Sequence, residues 1–283
     1  MPYTDLRPTA AWRATTPLTA ATYMGRLRQP VHPLLASPLA TRMTCDLDLM
    51  HMVDCKGVAS WVFGGVLHYL LRDERLGSSQ KTRLQRLNEE RLRWYSGHTS
   101  LIRLPRLLLH NCQRDGWAEL NGPAYKAAVT RHAAGFFDHL ARTFCTSSEA
   151  RDANLRKVTS ALLGFYQVLY TAGWFLTNEE LTTLREHTEA FGVAYQRLRN
   201  LAASEGVLAW PVRPKAHNMQ HVPELAGHLN PVKVQTYGEE SSMGTTAKVY
   251  KKSMSGRYRG KVQVVVLCKR LTALWLRLEG AAS

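Results

Sequence analysis

The sequence predicts a mostly helical fold with a small β remnant, and three observations carry that expectation. Apolar residues recur at helical spacing through most of the stretch from Val58 to Gly206. Helix start and stop signals punctuate that stretch, and only two short segments alternate in the manner of strands. With 283 residues and an ordinary apolar content, the chain can bury a sizeable core in one large domain or two small ones.

The elements follow in order. Residues 1–40 are rich in Thr, Ala and Pro without a sustained period, and read as an irregular segment. Arg42 to Leu49 alternates weakly and suits one short strand. A helix is expected from about Val58 to Arg72; it is apolar on most faces and therefore buried, with Gly64-Gly65 permitting a close neighbour. Gly77-Ser78-Ser79 can start a second helix that runs to about Tyr95, with Leu84, Leu87 and Leu92 as its apolar stripe. Arg103 to Asn111 is basic and apolar, and its type is not fixed by pattern. Pro123 suits the first turn of a helix running to about Phe144, and another runs from about Glu149 to Gly173. Thr177-Asn-Glu-Glu180 is a capping-box pattern, so a helix should start there and end near Gly206. Pro211, Pro214, Pro223 and Pro231 punctuate the last third, where Val232 to Tyr237 suits a second strand. Helices from about Glu240 and from about Gly260 to Leu278 complete the chain.

Charge narrows the partners. Lys and Arg number 37 against 22 Asp and Glu, a formal net charge of +15. A positive field of that size favours polyanions: DNA or another nucleic acid first, an anionic membrane surface second. The longest apolar stretch, Gly57 to Leu71, is too short to span a bilayer and carries His68. Asp5, Arg7 and Arg13 interrupt any apolar leader. Cys45, Cys55, Cys112, Cys145 and Cys268 lie far apart and form no CxxC pair, so neither a zinc framework nor a small disulfide scaffold is expected. These features point to an intracellular, nucleic-acid-associated protein with no membrane role.

Four motifs carry candidate chemistry. Asp48-Leu-Met-His51 sets a carboxylate beside an imidazole at the end of the first strand-like piece, where a divalent-metal site can be built, with Asp46 and Asp54 nearby. The same residues also suit a polar turn with an N-cap aspartate. Lys215-Ala-His217-Asn-Met-Gln-His221 places two histidines one helical turn apart, without the glutamate of a zinc-protease motif; orienting a carboxylate or contacting a phosphate is the expected use. Tyr237-Gly-Glu239-Glu240-Ser-Ser-Met-Gly244 pairs two carboxylates at a helix start, where a glutamate also simply favours the helix dipole. The run Lys248, Lys251, Lys252, Arg257, Arg259 and Lys261, interleaved by Tyr250 and Tyr258, suits phosphate contact with base stacking, or a solvated face or import signal.

In order and spacing these motifs resemble those of the ribonuclease-H-like transposases of eukaryotic DNA transposons, the KDZ and CACTA-like group. Asp48-Leu-Met-His51-Met-Val-Asp54-Cys-Lys-Gly57-Val resembles their D-x-M-H-x-x-D-x-G-V segment. Pro214-Lys215-Ala-His217-Asn-Met-Gln-His221 resembles P-K-x-H-x-x-x-H, and Glu240-Ser-Ser-Met-Gly244 resembles E-x-x-x-G. Lys126-Ala-Ala-Val-Thr-Arg131 is a poorer likeness of K-x-x-E-W-R, with Val129 and Thr130 at the Glu and Trp positions. The resemblance covers about residues 42–250.

It implies an incomplete ribonuclease-H-like α/β core at 41–283, carrying a large helical insertion at about 75–210. It implies an acidic site that holds two Mg²⁺ or Mn²⁺ ions for in-line phosphoryl transfer on DNA. Asp48 and Glu240 would be the catalytic, metal-binding acids, with His51, Asp54, His217, His221 and Glu239 in support. Their carboxyl groups should then lie within roughly 10 Å of each other, as ions sharing a site require. The first acid of such a site belongs to a strand well before Asp48, and the only acid before Asp46 is Asp5. The leading expectation is therefore a transposase-derived fragment, truncated at its N-terminus, that binds nucleic acid and is catalytically incomplete. An active nuclease drawing its third ligand from Asp46 or Asp54, and a helical interaction scaffold, are the alternatives.

Overall fold

The computed structural model describes residues 4–14, 48–100, 102–226 and 229–233. The chain divides into two compact units, Met1–Val234 and Gln235–Ser283, and every described residue belongs to the first. Residues 42–47 of the first expected strand, and the expected helices beyond Glu240, lie outside the described residues.

Helices dominate, as the periodicity requires. A single π-helical turn, Met50–Asp54, leads into α1, Val58–Leu70. Every residue of α1 is buried, which matches a segment apolar on most faces. Its glycines are there for contact. A Cβ on Gly64 would lie 2.4 Å from the backbone N and Cα of Glu119, and one on Gly65 would lie 2.5 Å from the Trp210 ring. Phe63 stacks on Phe137 at 4.1 Å between ring centroids, which fixes α4 (Ala134–Phe144) against α1.

The second helix, α2, spans Gln80–Ser96, with Ser79 accepting the Thr82 amide as its N-cap. Its buried side is Leu87, Glu90 and Tyr95, and Leu92 is 61% exposed. The expected stripe fails there because Leu92 stands five residues beyond Leu87, about 140° around the helix. Glu90 is buried where two side chains meet it: the Arg93 guanidinium, and the His139 ring at 2.7 Å. Arg103 to Asn111 runs without regular structure into a 3₁₀ turn at Leu109–Asn111. The helix expected up to Phe144 is two, α3 (Ala127–His132) and α4, which part at Ala133.

Between α2 and α3 lies a two-stranded antiparallel hairpin, β1 Gln113–Arg114 and β2 Trp117–Ala118. Asp115 (φ 51°) and Gly116 (φ 80°) form its loop, the backbone that an Asp-Gly pair favours in a two-residue turn. It is the only sheet among the described residues.

The largest helices among the described residues, α5 (Ala150–Thr171) and α6 (Asn178–Ser204), pack against each other as a helical hairpin. The capping box at Thr177 forms: Glu180 N–H donates to Thr177 Oγ1 at 3.2 Å, and Thr177 N–H donates to Glu180 Oε2 at 2.7 Å. The far end closes as a Schellman motif around Gly206 (φ 69°), with Val207 N–H on Ala202 O and Gly206 N–H on Ala203 O. Two short helices follow, α7 (Pro214–Met219) and α8 (Val222–Leu225). Pro231–Lys233 is a 3₁₀ turn where the sequence suggested the start of a strand. Among the described residues no helix is long and apolar enough to cross a membrane.

Gly64→Ala should destabilise the fold by about 1–3 kcal/mol through overpacking on Glu119, although alanine is the better helix former by about 1 kcal/mol. Urea denaturation measures this; a midpoint at or above that of the wild type would contradict the contact.

Candidate functional site

The π-helical turn after Asp48 is the floor of the candidate site. Asp48 divides its oxygens: Oδ1 accepts the Met50 amide at 3.1 Å and Oδ2 lies 2.5 Å from His51 Nδ1. Both side chains remain partly exposed, so the carboxylate–imidazole pair is accessible. Asp54 is different. It is 1% exposed and accepts the hydroxyl of Tyr166 on α5, which makes it a packing group between the turn and the helical hairpin. Gly57, also part of the motif, is needed for closeness, since a Cβ there would lie 2.2 Å from Met52 O.

α7 packs directly on this turn. Pro214 occupies its first position, where the missing N–H costs nothing. Lys215 then reaches across, and its ammonium donates to the carbonyls of Cys55 (3.2 Å) and Lys56 (3.3 Å). Two segments about 160 residues apart are thereby joined at the backbone. Burial lowers the Lys215 pKa, opposed by Cys55, Glu119 and Asp48 and reinforced by Arg213. These charges act on one partly buried cation.

Glu119 is the member that sequence reasoning missed. It follows β2, is 2% exposed, and its carboxylate lies 3.7 Å from Arg114. No motif marks it; its signal is only a lone acid in the apolar stretch Trp117 to Leu120.

The two motif histidines also meet. His217 on α7 and His221 at the cap of α8 approach Nε2 to Nε2 at 3.1 Å. One ring must donate and the other accept, so the pair carries at most one shared proton at that contact. His221 Nδ1 lies 3.2 Å from Glu224. Trp12, from the N-terminal segment expected to be irregular, packs on both rings at 4.4 and 4.8 Å. Arg13 lies over the Trp12 ring and donates to Gln220 at 3.0 Å. Burial lowers the His217 pKa, and His221 and Arg13 lower it further.

Glu239, Glu240, Lys248, Lys251, Lys252, Arg257, Arg259 and Lys261 lie outside the described residues, and with them the expected approach of Glu240 to Asp48. Among the described residues no three His, Cys, Asp or Glu side chains are grouped to hold a metal ion. What the described arrangement offers is a fixed ammonium, an accessible carboxylate–imidazole pair and a histidine pair on one short stretch of chain. No protein-family model, curated protein or solved structure matches the chain.

The histidine pair has a pH consequence. A histidine whose pKa is lowered in the folded chain is neutral in both states above its ordinary value of 6.5, and folding loses stability as pH falls below it. Wild type should therefore lose more thermal stability between about pH 7.5 and 5.5 than His217→Gln, which has no such proton to exclude. Parallel losses in the two proteins would contradict this account of the pair.

Proposed function

We propose that the chain is a nucleic-acid-binding protein derived from a ribonuclease-H-like transposase, with an acidic site that does not by itself complete two-metal catalysis. The observation that carries the reading is the docking of Lys215 and α7 on the turn that follows Asp48. A ribonuclease-H-like site draws its acids and cations from segments remote in sequence. The two motifs in question meet, although their resemblance was drawn from order and spacing alone.

The net charge of +15 supports a polyanionic partner, and DNA is the partner that fits the resemblance. In such a site Asp48 and Glu240 would be the metal-binding acids, and Mg²⁺ or Mn²⁺ would supply charge neutralisation for phosphoryl transfer. His51 would orient the Asp48 carboxylate, which it already contacts. Asp54 is poorly placed to serve as a further metal ligand, because it is buried against Tyr166. The basic C-terminal run would contact phosphates, and a nuclear location follows from a DNA partner.

Fluorescence anisotropy with labelled DNA tests the reading. Affinity should fall steeply with salt. Replacing Lys248, Lys251, Lys252, Arg257 and Arg259 with alanine should weaken binding similarly across sequences and flatten the salt slope, because phosphate contacts position without specifying. Absence of any salt-dependent binding by the wild type would remove the proposal.

Titration calorimetry with Mn²⁺ should show weak binding or none, and supercoiled plasmid should remain intact with either metal. Metal-dependent nicking would instead establish an active nuclease.

A further inference from the structure

Beside α7 lies a cleft of about 460 Å³ that the foregoing does not use. Its walls are the β hairpin, represented by Trp117, the end of α6 with Arg199, and the segment 206–213 with Leu208, Val212 and Arg213. The volume is that of a small-ligand site. No carboxylate lines it, whereas the clefts beside Glu90 and beside His68 are lined by acids and bases together.

The cations here are prepared for an anion. The Arg213 guanidinium lies 5.6 Å from the Trp61 ring and 5.9 Å from the Trp117 ring, so indoles orient it. Among the described residues its side chain makes no hydrogen bond or ion pair, and it is exposed, so its N–H groups are unspent. Arg199 donates to the carbonyl of Thr4 at 3.3 Å, which fixes its position while other N–H groups remain.

The apolar part is equally definite. Trp117 is partly exposed and Leu208 is 52% exposed, side by side across the Ala118 N–H to Leu208 O hydrogen bond. The wall is held in shape at a cost: Trp210 is fully buried against Gly65 with φ 57°, a left-handed backbone that a tryptophan rarely adopts.

We propose that this cleft binds single-stranded nucleic acid, seating a base on Trp117 and Leu208 and its phosphates on Arg213 and Arg199. A flat apolar surface beside two oriented guanidiniums, with no acid, matches a base joined to phosphates. A regular duplex hides its base faces and leaves Trp117 nothing to stack on. The inference rests on the nucleic-acid-binding reading above and places one part of that binding at this cleft.

The test uses the full chain, a labelled oligothymidylate, a duplex of equal length and free thymidine monophosphate. Wild type should bind the single strand more tightly than the monophosphate. Trp117→Leu should weaken single-strand binding at least about fivefold, the low end for one base–aromatic stack, and leave duplex binding little changed. Arg213→Gln with Arg199→Gln should also weaken it and reduce the salt slope. Arg213→Lys, which keeps the charge and loses the planar stack, should fall between. Should Trp117→Leu fail to fold, the exposed Arg213 variants decide.

Single-strand affinity unchanged in the arginine variants, with the basic C-terminal variant still defective, would overturn the cleft and leave the general reading standing. Equal losses for single strand and duplex would overturn the assignment to single strands, and a monophosphate binding as tightly as the oligomer would overturn the polymer. No binding of any nucleic acid by the wild type would overturn both readings.

Discussion

The approach of α1 to the hairpin and to Trp210 is the constraint on which the described structure depends. Gly64 admits the backbone of Glu119 and Gly65 admits the Trp210 ring, at distances no side chain would allow. Close packing makes such contacts intolerant of even one methyl group. The hairpin is then tied down by the Leu120 N–H to Ser60 O bond, and the stretch after α6 by the Ala118 N–H to Leu208 O bond. Arg213 and Lys215 follow within a few residues, so the placement of both cations descends from two glycines in a buried helix.

Several buried polar groups around this centre are given partners. Tyr166 covers Asp54, Arg93 and His139 cover Glu90, and backbone carbonyls receive Lys215. Burying such groups costs several kcal/mol each unless they are hydrogen-bonded, so these contacts specify which segments meet as well as stabilising them. The groups left accessible are therefore informative. Asp48 with His51, and Arg213 beside two indoles, are chemically distinct groups.

Much of the helical content was readable because long amphipathic segments repeat their pattern many times. The capping box at Thr177 and the stop at Gly206 were readable because each rests on local backbone chemistry. The stripe on α2 was misassigned at Leu92, since three leucines do not by themselves define one face. The hairpin was overlooked although Asp115-Gly116 carries its turn signal, because strands of two residues leave no alternation to read. At the site, sequence order singled out Asp48, His51, His217 and His221, with Lys215 only as part of the histidine motif. Glu119 and Trp12 were invisible, since their roles arise from tertiary contacts and no local pattern encodes them. Asp54 was read as a possible ligand, and its burial against Tyr166 is a tertiary contact that no local pattern encodes.

Native-state hydrogen exchange of the full chain tests the central claim most directly. If α1 is the element on which the rest is built, amides of Val58–Leu70 should exchange only through global unfolding, with the free energy that denaturant melting gives. Amides of the more exposed α2 should open at lower free energy. Exchange of α1 through local opening, as fast as that of α2, would contradict the account.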